Sequence, residues 1–384
     1  MRKLVLMLCF VLIAPAAACH RSGGASSPPR VETPTPINVH RAIHAKRHAG
    51  LHLWRSRNND DPLNVIESEN LGADWDCDTS VSCTHDYLDL LERAESYAAP
   101  VAEPELRQMF REYGLSPPYQ DPIPAAELRD DIIDRLNAWF LFDGYRERRL
   151  EVVTTAIEHT PDGVKKTLLF RDPWVGAFKG YLLLPAGAGP FPSVVAVHGH
   201  GQSAESYLQD FPEVLQLQRL GFAVLVITLR LDNADEHEDR LCRAFLRRGL
   251  TMLSVHVYEV LLGRKYLAHL FGEQTAGGLL GHSGGSIDIT VAIRVAAEAF
   301  DAAVVDAVGY FIGDWNAKII DEAVPTLHPF HDLINDFSTA AVPVLQVPYG
   351  YVGAWTSIYA FFEEHLEEPG RCSSPGLADS PDCT

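Results

Sequence analysis

Residues 281–285, Gly-His-Ser-Gly-Gly, decide the fold that we predict for this chain. The apolar run 276–280 precedes them and predicts a short buried strand, whereas residues 286–300 have the apolar spacing of a helix. A strand, a turn of small residues and a helix would hold Ser283 on a sharp bend, with its hydroxyl exposed and backbone N–H groups at the helix start. The glycines at both ends of the stretch leave room for that bend, because a side chain there would collide with neighbouring backbone.

A second glycine-rich stretch, His-Gly-His-Gly-Gln-Ser at residues 198–203, follows a short and wholly apolar strand pattern. Glycines at this place let the backbone turn its N–H groups inward, toward the bend at Ser283. The backbone N–H groups near His200 and Gly201, together with that of Gly284, would then form an oxyanion hole. The two stretches together indicate Ser283 as a candidate nucleophile.

From residue 149 onward, the chain alternates between strand and helix patterns. A β-hairpin with its turn at 160–163 comes first, and a third strand continues the sheet. Later strands are short and apolar throughout, as expected for strands covered on both faces of a parallel sheet. We therefore predict a doubly wound, mostly parallel α/β sheet. The predicted strands are 150–158, 164–170, 180–184, 193–197, 222–229, 276–280, 302–311 and 344–347, and the predicted helices are 203–220, 244–270, 286–300 and 355–366.

The two glycine-rich stretches, separated by a strand and two helices, resemble those of the dienelactone hydrolase and acetylxylan esterase-like branch of the α/β-hydrolases. The resemblance covers residues 149–350 and includes the lead-in at 181–185, the block 192–203 and the segment 249–251. It implies the α/β-hydrolase fold and a serine carboxylesterase that forms an acyl-enzyme on Ser283, with no cofactor and no metal. The implied substrate is a small-molecule or polysaccharide ester.

The resemblance also implies an acid after the seventh strand and a histidine after the eighth, and the sequence departs from it at both places. Residues 349–353 contain no Asp or Glu, and residues 367–384 show no strand pattern, so an eighth strand is expected to be missing. His328 and His331, in the loop after the sixth strand, are then the candidate proton acceptors, with Asp314 as the candidate orienting carboxylate.

Two alternatives to a carboxylesterase remain open. A peptidase could use the same fold and the same serine. A scaffold or binding protein could have kept the bend at Ser283 while the acid and the histidine were lost, and the departure after the seventh strand motivates this alternative.

The N-terminus predicts export. Residues 1–18 have a basic start, an apolar stretch too short to span a bilayer and a run of small residues, which is typical of a signal peptide. Cys19 follows at once, in an arrangement that resembles a bacterial lipobox, so we expect it to carry lipid; simple secretion is the alternative. The protein is then expected in the bacterial cell envelope, periplasmic or attached to the outer membrane. Residues 19–36, rich in Ser, Gly, Pro and Thr, predict a disordered tether.

Residues 37–148 are predicted to form a helical region ahead of the α/β-hydrolase domain at 149–367, with a C-terminal tail at 368–384. Histidines recur at every fourth position among basic residues at the start of this region, which favours a basic helix beside the membrane over a metal site. The helices predicted in this region are 87–98, 104–113 and 125–142.

Cysteines and net charge complete the predictions. Because an exported protein can form disulfides, Cys77 with Cys83 and Cys372 with Cys383 are the predicted bridges. Cys242 is expected to be a buried thiol. The formal net charge of -19 argues against a nucleic-acid partner, since phosphate backbones require a basic face.

Overall fold

The structure is a computed structural model that describes residues 63–71, 123–136, 138–229, 251–308, 327, 331–348 and 353–366. Predictions that lie outside these residues concern the signal peptide, Cys19, the tether, the helices at 87–98 and 104–113, all the predicted cysteine bridges, Cys242, Asp314, His328 and the C-terminal tail. For His331, only the backbone is described.

Nine strands of the described residues form one sheet. They are β1 (Val65–Glu69), β2 (Leu150–Thr160), β3 (Gly163–Asp172), β4 (Gly176–Pro185), β5 (Ser193–Val197), β6 (Ala223–Ile227), β7 (Gly277–His282), β8 (Ala302–Val308) and β9 (Val344–Pro348). The order across the sheet is β1-β2-β3-β4-β6-β5-β7-β8-β9. Strand β4 is antiparallel to β3 and to β6, whereas β6, β5, β7, β8 and β9 are parallel neighbours.

The order and directions of β3 to β9 are those of the α/β-hydrolase sheet, which confirms the predicted fold. The hairpin of β2 and β3 turns at 160–163, as predicted. Strands β1 and β2 extend the sheet beyond β3 at one edge. Within the described residues, β9 is the last strand of the chain and lies at the other edge.

Helices cover both faces of the sheet, because alternate residues of its central strands face opposite sides. All five residues of β5 are buried. Val195 and Val197 lie in one core with α1, α2, α5 and α6, whereas Val194 and Ala196 lie in a second core with α3, α4 and α8. The helices are α1 (Ala125–Leu136), α2 (Trp139–Phe142), α3 (Ala204–Asp210), α4 (Val214–Arg219), α5 (Met252–Phe271), α6 (Gly284–Val295), α7 (His331–Asn335) and α8 (Ala354–Leu366).

Strand β1 is a difference from the prediction, because it lies in the region expected to be helical. It pairs in parallel with β2, and Val65 at its start is buried in the larger core. Tyr266 of α5 donates a hydrogen bond of 2.7 Å to Glu67 of β1. The exposed second half of β1, Glu67 to Glu69, lacks the apolar alternation by which strands are recognised in a sequence.

Helix ends also differ from the predictions, for local reasons. Helix α5 begins at Met252, because Thr251 has an extended backbone and its side chain caps the Ser254 N–H, whereas residues 244–250 of the predicted helix lie outside the described residues. The helix predicted at 203–220 is two helices, α3 and α4, and Pro212 lies between them. Ser203 begins α3 with a capping box, which confirms the predicted start.

Candidate active site

Ser283 lies at the junction of β7 and α6, where it is the N-cap of the helix. Its backbone has φ 51° and ψ -115°, a combination that residues other than glycine rarely adopt. Such a conformation costs about 1–3 kcal/mol and persists only when the surrounding structure fixes it. The side chain is partly exposed. The predicted sharp bend is therefore present.

The glycines on either side of the bend are required by close packing. A Cβ on Gly281 would lie 2.5 Å from the carbonyl oxygen of Gly285. A Cβ on Gly285 would lie 2.4 Å from the carbonyl oxygen of His198. Because both contacts are with backbone atoms, no side-chain rotation could relieve them. The two small residues let α6 start directly against the ends of β7 and β5.

The loop after β5 packs against Ser283 through Gly199. A Cβ placed on Gly199 would lie 3.0 Å from Ser283 Cβ. His198, at the start of this loop, is fully buried. Its Nε2 accepts a hydrogen bond of 3.0 Å from the Leu229 N–H, and its Nδ1 lies 3.0 Å from the Gly199 carbonyl oxygen. Since Nε2 accepts, Nδ1 carries the proton and donates to that oxygen. His198 is thus a structural residue of the loop.

Hydrogen bonds within the loop use some of its backbone N–H groups. The Gly199 N–H donates to the Gln202 side chain at 3.0 Å, so it is already used. His200 and Gly201 come next in the loop, and Gly201 has a positive φ of 75°. Gly284 is the first residue of α6, where N–H groups have no acceptor within the helix. The predicted oxyanion donors therefore belong to a loop and a helix start that meet at Ser283.

The structure also brings together a histidine and a carboxylate that the sequence analysis did not pair. His282 Nδ1 lies 2.7 Å from Asp306 Oδ2, and both side chains are mostly buried, with 16% and 13% exposed. The two residues are direct partners in the register of β7 and β8. His282 ends β7, and Asp306 lies two residues before the end of β8, so the register of the two parallel strands was the signal that could have revealed the pair.

Two aromatic side chains contact the His282 ring. The Phe211 ring centroid lies 4.4 Å from that of His282, and the Tyr207 ring stacks on it at 5.9 Å. Burial, followed by the nearby Asp306 and Glu213 carboxylates, raises the pKa of the Tyr207 hydroxyl, which stays neutral. This environment leaves Asp306 as the described hydrogen-bond partner of the imidazole.

Of the three predicted proton-transfer residues, the structure places only the backbone of His331, at the start of α7. Helix α7 is fixed by Arg294, whose guanidinium donates to the Ile334 carbonyl at 3.1 and 3.0 Å. Arg294 is in the last turn of α6, 11 residues after Ser283. At 1.5 Å per residue this is about 16 Å from the bend. Helix α7 is therefore fixed near the end of α6 that is remote from Ser283.

The described residues include neither a metal site nor a membrane-spanning helix. They contain no group of three or more His, Cys, Asp or Glu side chains arranged to hold a metal ion. None of their helices combines the length and the apolar character needed to cross a bilayer. The site is therefore described by its serine, its glycine-rich loop and the His282–Asp306 pair.

No protein-family model matches the sequence, and no curated protein sequence matches it. Among solved structures, an acetyl xylan esterase from Paenibacillus sp. R4 has a TM-score of 0.41 at 13% identity, over 64% of this chain and 100% of that one. A dienelactone hydrolase from Anabaena variabilis has a TM-score of 0.34 at 23% identity, over 50% of this chain and 93% of that one. A Bacteroides fragilis protein assigned as an acetyl xylan esterase has a TM-score of 0.39 at 14% identity over 51% of this chain, which spans 58% of that protein. At TM-scores this low, these likenesses decide neither substrate nor mechanism.

Proposed function

We propose that the protein is a serine ester hydrolase that forms an acyl-enzyme on Ser283. The observation that supports it is the strained backbone of Ser283, with φ 51° at the junction of a buried strand and a helix. A fold that maintains such a conformation offsets its cost elsewhere, and strained residues cluster at active sites. The packing of Gly199 against the same serine supports the proposal that the loop after β5 supplies a second set of backbone donors.

In the proposed reaction, the Ser283 hydroxyl attacks the carbonyl carbon of an ester. The carbonyl oxygen becomes an oxyanion, which the N–H groups of Gly284 and of His200 or Gly201 stabilise. Collapse of the tetrahedral intermediate releases the alcohol and leaves an acyl-serine, and a water molecule then releases the acid by the reverse sequence. Loss of one oxyanion donor typically lowers kcat by about 100- to 1000-fold.

The proton of the Ser283 hydroxyl requires an acceptor, and we propose His328 in this role, with Asp314 as its orienting carboxylate. His331 is the alternative acceptor from the same segment. The anchoring of α7 near the remote end of α6 favours His328, which precedes that helix, over His331, which begins it. Alanine variants at the two histidines separate these possibilities, since only replacement of the true acceptor should abolish turnover of an activated ester.

The test of the proposed function is labelling with a fluorophosphonate probe together with turnover of p-nitrophenyl acetate. We expect the probe to label Ser283, and Ser283→Ala to lose labelling and to lower kcat by about 10⁶-fold, as in other serine hydrolases. Ser338→Ala is the matched control, because Ser338 is exposed and lies on the short helix after α7. Absence of both labelling and turnover in a folded sample would reject the proposal and favour the scaffold alternative.

We further propose that the enzyme acts in the bacterial cell envelope, tethered through a lipid on Cys19. The support is the arrangement of a basic start, an apolar stretch and small residues directly before Cys19. When the full sequence is expressed in bacteria, metabolic labelling with an alkyne fatty acid should tag the protein. Cys19→Ser should remove the tag and release the protein from the membrane fraction. A Cys19→Ser protein that keeps the tag would contradict this proposal.

A further inference from the structure

Asp306 makes three hydrogen-bond contacts with residues of the bend. Its side chain lies 2.7 Å from His282 Nδ1. Its main-chain carbonyl accepts the Ser283 N–H at 3.1 Å and the Ser286 hydroxyl at 2.7 Å. Ser286 donates a second bond, of 2.6 Å, to the Gly281 carbonyl. One residue of β8, two positions before its end, thus contacts the residue before the serine, the serine itself and the first turn of α6.

The His282–Asp306 pair differs from a surface ion pair because both side chains are mostly buried. Exposed pairs contribute little, since water and salt screen them. A buried carboxylate without a partner, by contrast, keeps a poorly solvated negative charge. Without His282, that charge would belong to a residue whose main chain is bonded to the Ser283 N–H, and it would oppose the negative charge that develops on the ester oxygen near Ser283.

We propose that Asp306 and His282 form a positioning pair for Ser283, in which the Asp306 main-chain carbonyl holds the strained bend and His282 keeps the Asp306 carboxylate paired. This inference rests on the proposed function. A conformation as unfavourable as that of Ser283 requires several simultaneous contacts, and the bonds of Asp306 supply them. Neither residue transfers the proton of the hydroxyl; both act through the position and the electrostatic environment of Ser283.

The decisive variants separate charge from shape. His282→Phe keeps an aromatic ring against Phe211 and leaves the carboxylate without its partner. We expect kcat for p-nitrophenyl acetate to fall about 10- to 100-fold, because the unpaired charge would weaken the electrostatic stabilisation of the oxyanion, while KM changes by less than about threefold. Adding Asp306→Asn removes the unpaired charge and keeps the main-chain bonds. The double variant should therefore recover kcat to within about fivefold of the wild-type value.

Three results would overturn the positioning role. An unchanged kcat in His282→Phe would show that the pair does not affect Ser283. Losses that multiply in the double variant would show two independent effects. A loss above about 10⁴-fold in a folded His282→Phe protein would make His282 the proton acceptor itself. The urea unfolding midpoint of each variant should be measured beside its kcat. A purely structural role would lower the midpoint of His282→Phe, and kcat would then not recover in the double variant.

Failure of the inference is distinguishable from failure of the proposed function. If the wild-type protein shows neither probe labelling nor turnover, the proposed function fails. The pair itself is then tested by proton NMR, because an imidazole N–H bonded to a carboxylate gives a strongly downfield signal. We expect that signal in the wild-type protein and its loss in His282→Phe, and its absence from the wild-type spectrum would refute the pairing.

Discussion

Gly285→Ala tests the close packing that lets α6 begin at Ser283. The added Cβ would lie 2.4 Å from the His198 carbonyl oxygen and 2.7 Å from Val197 Cγ1. Ordinary contact begins at 3.4 Å, so the start of α6 and the end of β5 must separate by about 1 Å. The nearest atom is a backbone oxygen, and therefore the shift involves the whole loop that follows β5.

The expected magnitude follows from two opposing effects. Overpacking of a well-packed interior costs about 1–3 kcal/mol. Replacing glycine by alanine in a helix gains up to about 1 kcal/mol. We therefore expect Gly285→Ala to lower the free energy of unfolding by about 1–2 kcal/mol. Because the shift moves the proposed oxyanion donors relative to Ser283 by about 1 Å, kcat should fall by about 100-fold.

Urea unfolding followed by tryptophan fluorescence, and kcat with p-nitrophenyl acetate, measure the two effects. Gly263→Ala is the matched control, since Gly263 is also a helix residue and its nearest contact for a Cβ is the Leu225 side chain at 3.3 Å. The control should keep the wild-type kcat and lose less than about 1 kcal/mol. If Gly285→Ala were as stable and as active as the control, the packing argument for the bend would be refuted.

Three further variants probe the support around the site. Arg294→Met removes the guanidinium that donates to the Ile334 and Asp336 carbonyls. It should lower the free energy of unfolding by about 1–3 kcal/mol and speed amide hydrogen exchange over 331–339. Unchanged exchange there would refute the anchoring of α7. Tyr266→Phe removes the hydrogen bond to Glu67, so we expect faster amide hydrogen exchange in β1 and a free energy of unfolding lower by about 1 kcal/mol. An equal increase in exchange in all strands would contradict a local role of this bond. Burial raises the pKa of the Asp172 carboxyl, so the folded state binds its proton more tightly than the unfolded state, and the stability contributed by this group falls as pH rises above about 3.8. Relative to the wild type, Asp172→Asn should therefore gain stability from pH 4 to 7 in urea midpoints, and a constant difference would refute the assignment.

Much of the fold was predictable because the information is local. Every strand predicted from residue 149 onward is present, since short apolar runs must be buried on both faces of a sheet. The bend at Ser283 was also predictable, because a strand, glycines and a helix follow one another directly in the chain. Strand β1 was not, because its second half is exposed and polar and its placement depends on β2 and α5.

The His282–Asp306 pair shows where local information ends. The two residues are 24 positions apart, and only the parallel register of β7 and β8 makes them direct neighbours. Sequence patterns indicate that both strands exist but not how far one is shifted along the other, since any shift by two residues keeps the same faces buried. The register was fixed by packing of the whole sheet against its two helical layers.

Local sequence patterns are enough to predict the α/β architecture, the sharp bend and the glycine-rich loop, because each depends on residues that are adjacent in the chain. Tertiary structure alone decided that Gly199 packs against Ser283 and that Asp306 holds the bend from a neighbouring strand. These contacts join segments far apart in sequence, and such contacts form only where strand pairing and core packing bring their backbones together.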